Sequence, residues 1–175
     1  MIARRANLGD TQAVGNMICD ALPLSPSSVY DRADLALDEF EVGRELLGAA
    51  LAAGDLAFVL EAGQQIAGLA LARSRPLKRA SHVADLMLVV HPLARGRGGG
   101  LTLLEAIEKG AEERSDLHKV VMRVALDDEA LKATLRASAS TWICERHEYE
   151  GLRRGAHFID TELWALIVGA GPSPS

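Results

Sequence analysis

Cysteine is scarce in this sequence, with only Cys19 and Cys144 among its 175 residues. Two cysteines are too few for a disulfide framework, so we expect reduced thiols and a cytoplasmic location. Cys144 and His147 have the spacing of half a zinc site, but no second pair repeats that spacing. The sequence therefore predicts no bound metal.

Long apolar runs and a basic excess are missing as well. The longest apolar stretches, around residues 47–53 and 163–170, are far shorter than the roughly 18 residues that a membrane-spanning helix needs. The start of the chain shows no secretory signal pattern. Lysine and arginine number 19 against 24 aspartate and glutamate residues, a formal charge of −5. We therefore expect neither a membrane nor a nucleic-acid partner.

The composition that remains is that of one globular domain. Apolar residues make up 49% and charged residues 25% of the chain, and its length suits a single domain with a substantial core. No internal repeat or linker divides the sequence. We expect one domain over residues 1–168, followed by a flexible tail over residues 169–175.

Apolar periodicity predicts an α/β fold in which helices flank a mixed sheet, in the order β-α-α-β-β-β-α-β-α-β-β. Asp10 is the expected N-cap of the first helix. Periodicity places Phe40 on a buried helix face and Glu108 on a water-facing one. The expected strands are 1–6, 56–61, 66–73, 81–91, 119–126, 149–154 and 156–168, and the expected helices are 11–21, 34–53, 99–113 and about 128–144.

A loop rich in glycine and arginine, Arg95–Gly100 (RGRGGG), lies between an apolar strand and an amphipathic helix. Glycine lets the backbone approach a ligand closely. Free N–H groups at a helix start bind anions with the help of the helix dipole, and arginine side chains donate to phosphate. The loop therefore predicts a bound pyrophosphate.

Two common phosphate-binding motifs do not fit this loop. A nucleoside-triphosphate loop ends in Gly-Lys-Ser/Thr, whereas Gly100 is followed by Leu101 and Thr102. A dinucleotide fingerprint that starts at Gly96 requires a third glycine at position 101, where this sequence has leucine. Each motif is therefore excluded by its own requirements.

A third motif does fit, because Arg95, Gly98 and Gly100 occupy the fixed positions of Arg/Gln-x-x-Gly-x-Gly/Ala. This is the acyl-CoA loop of the GNAT superfamily of N-acyltransferases, which the chain resembles. The lead-in over residues 90–92 (VHP) and the segment 158–166 also resemble that family, so the likeness covers nearly the whole chain. It implies a GNAT-like fold and an acetyl-CoA-dependent N-acetyltransferase that acts on a primary amine of a small molecule or of a peptide or protein N-terminus.

The resemblance also implies how acetyl-CoA, the acyl donor, is held. Backbone groups of Leu88 and Val90 would pair with the pantetheine arm, and an N–H near Val90 would stabilise the oxyanion. The loop amides would hold the pyrophosphate. The cofactor-binding residues implied in this way are Leu88, Val90, Arg95, Gly96, Arg97, Gly98, Gly99, Gly100 and Thr102.

The expected general base departs from the family's pattern. A base must remove a proton from the amine, whose ordinary pKa is about 10.4. Many relatives have a glutamate at the position that Ala84 occupies here. Asp85 points to the opposite face of the strand, so His82, which shares the face of Ala84, is the better-placed candidate.

The expected general acid departs from the pattern too, since many relatives carry a tyrosine on the last helix. One alignment places Trp142 at that position, and an indole cannot act as an acid. Another alignment places His147 there, and Tyr149 lies close by. The catalytic candidates are therefore His82, His147 and Tyr149. These departures leave open an alternative function, a GNAT module that binds acyl-CoA as a sensor or scaffold and transfers nothing.

The resemblance places the helical segment 23–53 over the acceptor side of the site. Its acidic residues could attract a polyamine, an aminoglycoside or a peptide N-terminus, although a charge cluster of this kind is more often simply a solvated helix face. Those residues are Asp31, Asp34, Asp38, Glu39 and Glu41. The family's habit further implies a homodimer.

Overall fold

The computed structural model describes residues 1–28 and 38–169, and their order of elements confirms the predicted one. The strands are β1 (Ile2–Arg5), β2 (Leu56–Ala62), β3 (Gln65–Ser74), β4 (Val83–Val90), β5 (Lys119–Ala125), β6 (Trp142–Arg154) and β7 (His157–Ile167). The helices are α1 (Thr11–Ala21), α2 (Glu39–Gly43), α3 (Ala49–Ala53), α4 (Gly99–Glu112) and α5 (Glu129–Ala137), with a π-helical turn, Arg44–Gly48, between α2 and α3.

The described strands form one seven-stranded sheet in the order β1-β2-β3-β4-β5-β7-β6. All neighbouring strands are antiparallel except β4 and β5. This parallel pair has only three residue pairs, Val83–Asp85 with residues 119–121. Beyond it, β4 stays with β3 as far as Val90, whereas β5 stays with β7 as far as Ala125. The two strands therefore separate toward their carboxyl ends.

Helices cover both faces of the sheet. On one face, here called the α4 face, α4 and α5 bury Leu103, Ile107 and Leu135 against the strands. On the other, the α1 face, helices α1–α3 bury Ile18 and Leu47. A separate apolar cluster on the α1 face consists of Val83, Val121, Leu163 and Ala165. In the described part of the chain, no helix has the length and apolarity that crossing a bilayer requires.

Helix α1 crosses α2 at a contact between two glycines. A Cβ on Gly15 would lie 1.6 Å from the carbonyl oxygen of Glu39, and a Cβ on Gly43 would lie 2.0 Å from that of Thr11. Both obstructing atoms belong to the backbone, so no side-chain rotation relieves the clash. Glycine at both positions therefore sets how closely the two helices pack.

Asp10 is the N-cap residue of α1, as predicted, but its side chain does not cap the helix. The carboxylate instead accepts hydrogen bonds of 2.8 and 2.7 Å from Arg4 and one of 2.8 Å from the Asn7 N–H. The Arg4 guanidinium holds the pKa of this carboxyl below its ordinary value. A hydrogen bond from a charged guanidinium is stronger than one from a helix N–H. The Asp10 side chain therefore binds Arg4 and connects β1 to the start of α1.

Glu108 also departs from the prediction, because it is buried rather than water-facing. Its Oε1 accepts hydrogen bonds from Trp142 Nε1 at 2.7 Å and from Ser138 Oγ at 2.5 Å. These donors replace the water that a buried carboxylate loses. Both come from the segment after α5, which helical periodicity within α4 cannot reveal.

The last helix is shorter than predicted. α5 ends at Ala137, and β6 begins at Trp142 rather than near Tyr149. The early part of β6 pairs with β7, for example Trp142 with Leu166. Backbone hydrogen bonds to a distant strand thus replace the helix that local periodicity favoured.

The predicted helix over residues 34–53 is only partly within the described residues. Its first residues, 34–37, lie outside them, and Asp38 caps the helix that begins at Glu39 by accepting from the Glu41 N–H at 2.9 Å. Phe40 was expected on the buried face, but half of its surface is exposed. Leu47 is fully buried as expected.

The glycine contact between α1 and α2 predicts that one added methyl group will destabilise the fold strongly. Gly15→Ala should lower the free energy of unfolding by about 3 kcal/mol, since the new Cβ meets backbone. In the control, Gly48→Ala, the nearest atom to the new Cβ is the flexible Arg44 Cγ at 3.6 Å. Because residue 48 lies within a helical turn, Gly48→Ala should raise the free energy of unfolding by about 0.5–1 kcal/mol. Urea denaturation measures both, and equal effects would contradict the close contact.

Candidate functional site

The glycine-rich loop leads from the end of β4 into the start of α4. Gly96 and Gly98 have φ values of 69° and 81°, in a region that other residues rarely adopt. Gly98 is the N-cap of α4, and it has no side chain to cap the helix. The N–H groups of the first helical turn therefore point outward without a side-chain partner, as an anion site requires.

The next two glycines differ in what surrounds them. A Cβ on Gly99 would lie 2.6 Å from Leu60 Cδ2, so this glycine lets α4 start close against β2. A Cβ on Gly100 would meet nothing closer than Thr134 Cγ2 at 3.6 Å, an ordinary van der Waals distance. An alanine side chain would therefore fit at Gly100 but not at Gly99.

Arg95 is used within the protein, which differs from its expected role as a phosphate donor. Its Nε donates to the Val90 carbonyl at 3.0 Å, and its terminal nitrogens donate to the carbonyls of Leu24 at 2.9 Å and Ala21 at 3.5 Å. A guanidinium beside the carbonyl end of α1 also complements the helix dipole. The Arg95 side chain thus positions the loop against α1.

Arg97 is the loop's other cation, and it is exposed. It makes no hydrogen bond or ion pair with the described residues. Thr102, a predicted cofactor residue, donates its hydroxyl and its N–H to the Gly98 carbonyl at 3.1 and 3.0 Å and so closes the first turn of α4. The structure therefore leaves Arg97, rather than Arg95, with its guanidinium open to a ligand.

Leu88 and Val90 face the space that opens between β4 and β5. In an antiparallel pair, alternate residues direct both backbone groups toward the neighbouring strand. His91 donates to Ala67 on the β3 side, so Val89 and Met87 also point toward β3. The N–H and carbonyl groups of Leu88 and Val90 then point toward β5, which has already diverged there.

A cavity of about 270 Å³ lies at this gap. Its lining combines both faces of the sheet. From the α4 face come Leu86, Leu88 and Met122, and from the α1 face come Met87, Val121 and Leu163. The cavity therefore passes between the diverging strands, so that a molecule held on one face can reach a molecule held on the other.

Asp85 is the only carboxylate among the described residues that line this cavity. Arg75 holds it with two hydrogen bonds of 2.9 Å. The sequence interpretation set Asp85 aside because it faces away from Ala84, and the two do face opposite ways. Ala84, however, is buried under the α4 face, and the cavity opens on the side of Asp85. Strand alternation gives the orientation of Asp85, but only the packed structure shows which face carries the cavity.

The three catalytic candidates from the sequence are not brought together. None of them lines the described part of the cavity. His82 precedes β4 at its closed end, about 20 Å along the chain from Leu88 at the usual rise of a strand. His147 and Tyr149 lie on β6, not on a helix as the alignment assumed, and Tyr149 is 86% exposed.

A cluster of two arginines and one glutamate borders the cavity. Glu148 accepts from Arg123 Nε at 2.7 Å, from Arg146 Nε and a terminal nitrogen at 3.1 and 2.8 Å, and from the Thr161 hydroxyl at 3.2 Å. These donors, Arg123 first, lower the pKa of Glu148 to about 2. Its carboxylate is therefore ionised throughout the neutral range and fixes both guanidinium groups.

Cys144, His147 and Glu162 converge on the α4 face, where one ligand atom of each lies within 4.8 Å of the others. Glu162 comes from β7 and accepts from Trp164 Nε1 at 2.8 Å, so spacing within one segment cannot include it. Burial, and then the charge of Glu162, raises the pKa of the Cys144 thiol, and a neutral thiol is a poor metal ligand. The absence of metal stays a prediction.

Solved acetyltransferases share this fold. A putative acetyltransferase from Salmonella typhimurium, solved with its cofactor acetyl-CoA, is 18% identical and aligns with a TM-score of 0.86 over 100% of this chain and 98% of its own. A phosphinothricin acetyltransferase from Sinorhizobium meliloti in complex with acetyl-CoA is 16% identical, with a TM-score of 0.84 over 99% and 91% of the two chains. A ribosomal-protein-alanine N-acetyltransferase from Brucella melitensis is 22% identical, with a TM-score of 0.81 over 96% and 100%.

The chain therefore has the fold of these solved acetyltransferases. A sequence model of the acetyltransferase (GNAT) family matches residues 17–137. The chain therefore belongs to the GNAT acetyltransferase family, and the resemblance stated from the loop motif is confirmed. A comparison with curated protein sequences gave no match.

The ionised Glu148 predicts a stability difference that depends on pH. A carboxyl with a lowered pKa stabilises the fold fully above its unfolded pKa and loses that contribution as the pH falls through its folded pKa. Glu148→Gln should therefore cost about 1–2 kcal/mol at pH 7, and less than half of that at pH 3. Urea denaturation at the two pH values measures the difference.

The control for this prediction is Glu105→Gln. Glu105 is exposed on α4 and makes no ion pair with the described residues. Its substitution should change the free energy of unfolding by less than about 0.5 kcal/mol at either pH. A cost of Glu148→Gln that stayed constant between pH 7 and pH 3 would contradict a strongly lowered pKa.

Proposed function

We propose that this protein transfers the acetyl group of acetyl-CoA directly to a primary amine. The observation that carries the proposal is the cavity that passes through the gap between β4 and β5, with an anion loop on one side of it. Such an arrangement lets a donor on the α4 face and an acceptor on the α1 face meet inside the sheet. Relatives in fold were solved with acetyl-CoA or CoA, which supports the choice of donor.

The residues present fit acetyl-CoA at two separate places. The positive φ angles of Gly96 and Gly98 turn the first amides of α4 outward, where they suit a pyrophosphate. Arg97 adds a charge that no described residue neutralises. At the gap, the backbone groups of Leu88 and the N–H of Val90 lack a strand partner and suit an amide-bearing arm such as pantetheine, whereas the Val90 carbonyl is already held by Arg95.

Bound acetyl-CoA supplies an activated acetyl thioester to the gap. The Val90 N–H points into the gap, where it would donate to the oxygen that gains negative charge during acyl transfer. The apolar side chains of Leu86, Leu88 and Met122 exclude water there. A low-dielectric wall of this kind strengthens the hydrogen bond from Val90.

Asp85 is the proposed proton acceptor for the amine. A primary amine is protonated at pH 7 and cannot attack a carbonyl carbon until a base removes its proton. Asp85 lines the cavity on the acceptor side, and Arg75 fixes its orientation. We assign no role to His82, His147 or Tyr149, since none of them is among the described residues that line the cavity.

A second candidate is a GNAT module that binds acyl-CoA without transferring the acyl group. It is favoured by Ala84 and by the absence of all three catalytic candidates from the described cavity lining. Turnover separates the two functions, because a binding module retains affinity for acetyl-CoA but releases no CoA with any amine.

We also propose a cytoplasmic homodimer of a single domain over residues 1–168. Only the dimer draws support from the structure. β6 is a long edge strand that exposes Ile143 and Tyr149, and the neighbouring Phe158 is 61% exposed. Exposed apolar side chains at the edge of a sheet suit contact with a second copy of the chain.

The loop geometry predicts which arginine contributes to donor binding. Arg97→Ala should weaken acetyl-CoA binding about tenfold, the loss expected for one charge-assisted hydrogen bond of about 1.4 kcal/mol. Its melting temperature should stay that of the wild type, since Arg97 has no partner in the described structure. Calorimetric titration with acetyl-CoA measures the affinity.

Two variants complete this test. Arg79→Ala removes an exposed arginine outside the loop that has no partner among the described residues, and its affinity should be unchanged. Arg95→Ala should lower the melting temperature, because it removes the hydrogen bonds to Val90, Leu24 and Ala21. Unchanged affinity in Arg97→Ala would exclude its guanidinium from the donor site.

The role proposed for Asp85 predicts a loss of turnover. Asp85→Asn should lower kcat about 100-fold, the usual size of a general-base contribution, while acetyl-CoA binding persists. The matched control is Asp116→Asn, which breaks another exposed aspartate–arginine pair, with Arg114, away from the cavity. Release of free CoA measures turnover. A higher KM with unchanged kcat would show that Asp85 binds the ammonium group without accepting its proton.

A further inference from the structure

The described residues make the acceptor side of the cavity cationic. The charged residues among them are Asp85 and four arginines, Arg73, Arg75, Arg123 and Arg146. Arg75 and Asp85 neutralise each other through two hydrogen bonds. The charge balance therefore depends on the remaining three arginines, each of which lies on the α1 face.

Arg73 has no carboxylate partner among the described residues. One of its terminal nitrogens donates to the backbone carbonyls of Leu46 at 2.7 Å and Glu45 at 3.2 Å. Carbonyl groups hold the guanidinium in place but do not cancel its charge. Arg73 thus contributes a full positive charge to the cavity wall.

Arg123 and Arg146 share a single carboxylate, that of Glu148. Arg123 uses only its Nε for Glu148, and Arg146 uses Nε and one terminal nitrogen. Three terminal nitrogens of this pair therefore have no acceptor among the described residues. Two guanidinium groups against one carboxylate leave a net positive charge, and Glu148 holds both in a fixed orientation.

The cavity also separates its polar and apolar parts. Met87, Val121 and Leu163 form an apolar wall on the way to the gap, and the arginines border it on the α1 face. A volume of about 270 Å³ lies just below the roughly 300–1,000 Å³ range of small-molecule sites. The space therefore suits a small molecule with a polar group at each end.

We propose that the acceptor is a small amine that also carries a carboxylate, with the amino group toward the gap and the carboxylate on Arg123 and Arg146. This inference rests on the proposed acetyl transfer and names its substrate class. Guanidinium groups bind carboxylates through paired hydrogen bonds. A polyamine would place a second positive charge against the same arginines, which disfavours it.

An acceptor panel tests the substrate class. Each of the twenty amino acids is compared with its carboxamide, which keeps the amino group and the side chain but lacks the negative charge. Spermidine and a peptide with an amidated C-terminus represent cationic and peptide acceptors. With acetyl-CoA saturating, release of CoA should show at least one amino acid with kcat/KM about tenfold or more above its carboxamide, as expected for one good ionic contact.

The variant Arg123→Gln tests whether the arginines bind the carboxylate of the acceptor. For the preferred amino acid, KM should rise about tenfold with kcat within about twofold, as for the loss of a contact made equally in ground and transition states. The preference over the carboxamide should disappear. Arg146→Gln, at a side chain that is 62% exposed, gives a second variant in case Arg123→Gln does not fold. Arg44→Gln, at an exposed arginine outside the cavity lining, should leave both constants unchanged.

The outcomes separate this inference from the function on which it rests. Acetyl-CoA binding with equal use of acid and amide, or with a preference for spermidine or the peptide, would overturn the substrate class alone. Acetyl-CoA binding without acetylation of any acceptor would overturn it too and would support the binding-only module. Absence of acetyl-CoA binding would overturn the proposed function itself.

Discussion

Parallel pairing between β4 and β5 ends early, and this single feature creates the site. After three residue pairs each strand keeps only its antiparallel neighbour, so a gap opens within a buried sheet. Unpaired backbone groups in such a place are costly unless a ligand satisfies them. The gap connects the two faces, and it brings the end of β4 beside the start of α4.

The loop at this junction combines conformational and electrostatic requirements. Gly96 and Gly98 supply positive φ angles, and Gly99 permits close packing against Leu60. Arg95 uses its donors on backbone carbonyls and thereby holds the loop to α1. Arg95 thus positions the loop, whereas Arg97 has no partner among the described residues, although the two arginines look equivalent in the sequence.

On the acceptor side, too, the role of a charged side chain depends on its partners. The charges of Asp85 and Arg75 neutralise each other, whereas Glu148 pairs with two arginines and leaves a net positive charge. Asp31 and Asp34, two of the acidic residues that favoured a cationic acceptor, lie outside the described residues, and the cavity wall that is described carries a positive charge. Net charge of the whole chain therefore says little about the charge of one cavity.

Local patterns in the sequence were enough to establish the order of elements, the loop and the family, because strand alternation, helical periodicity and glycine spacing are properties of neighbouring residues. They failed where a distant partner decides: Asp10 is held by Arg4, Glu108 by Trp142, and the start of β6 by pairing with β7. The packed structure alone revealed that the cavity opens on the face of Asp85 and gathers four arginines. Which strand face borders a cavity depends on packing among segments far apart in the chain, and no local pattern carries that information.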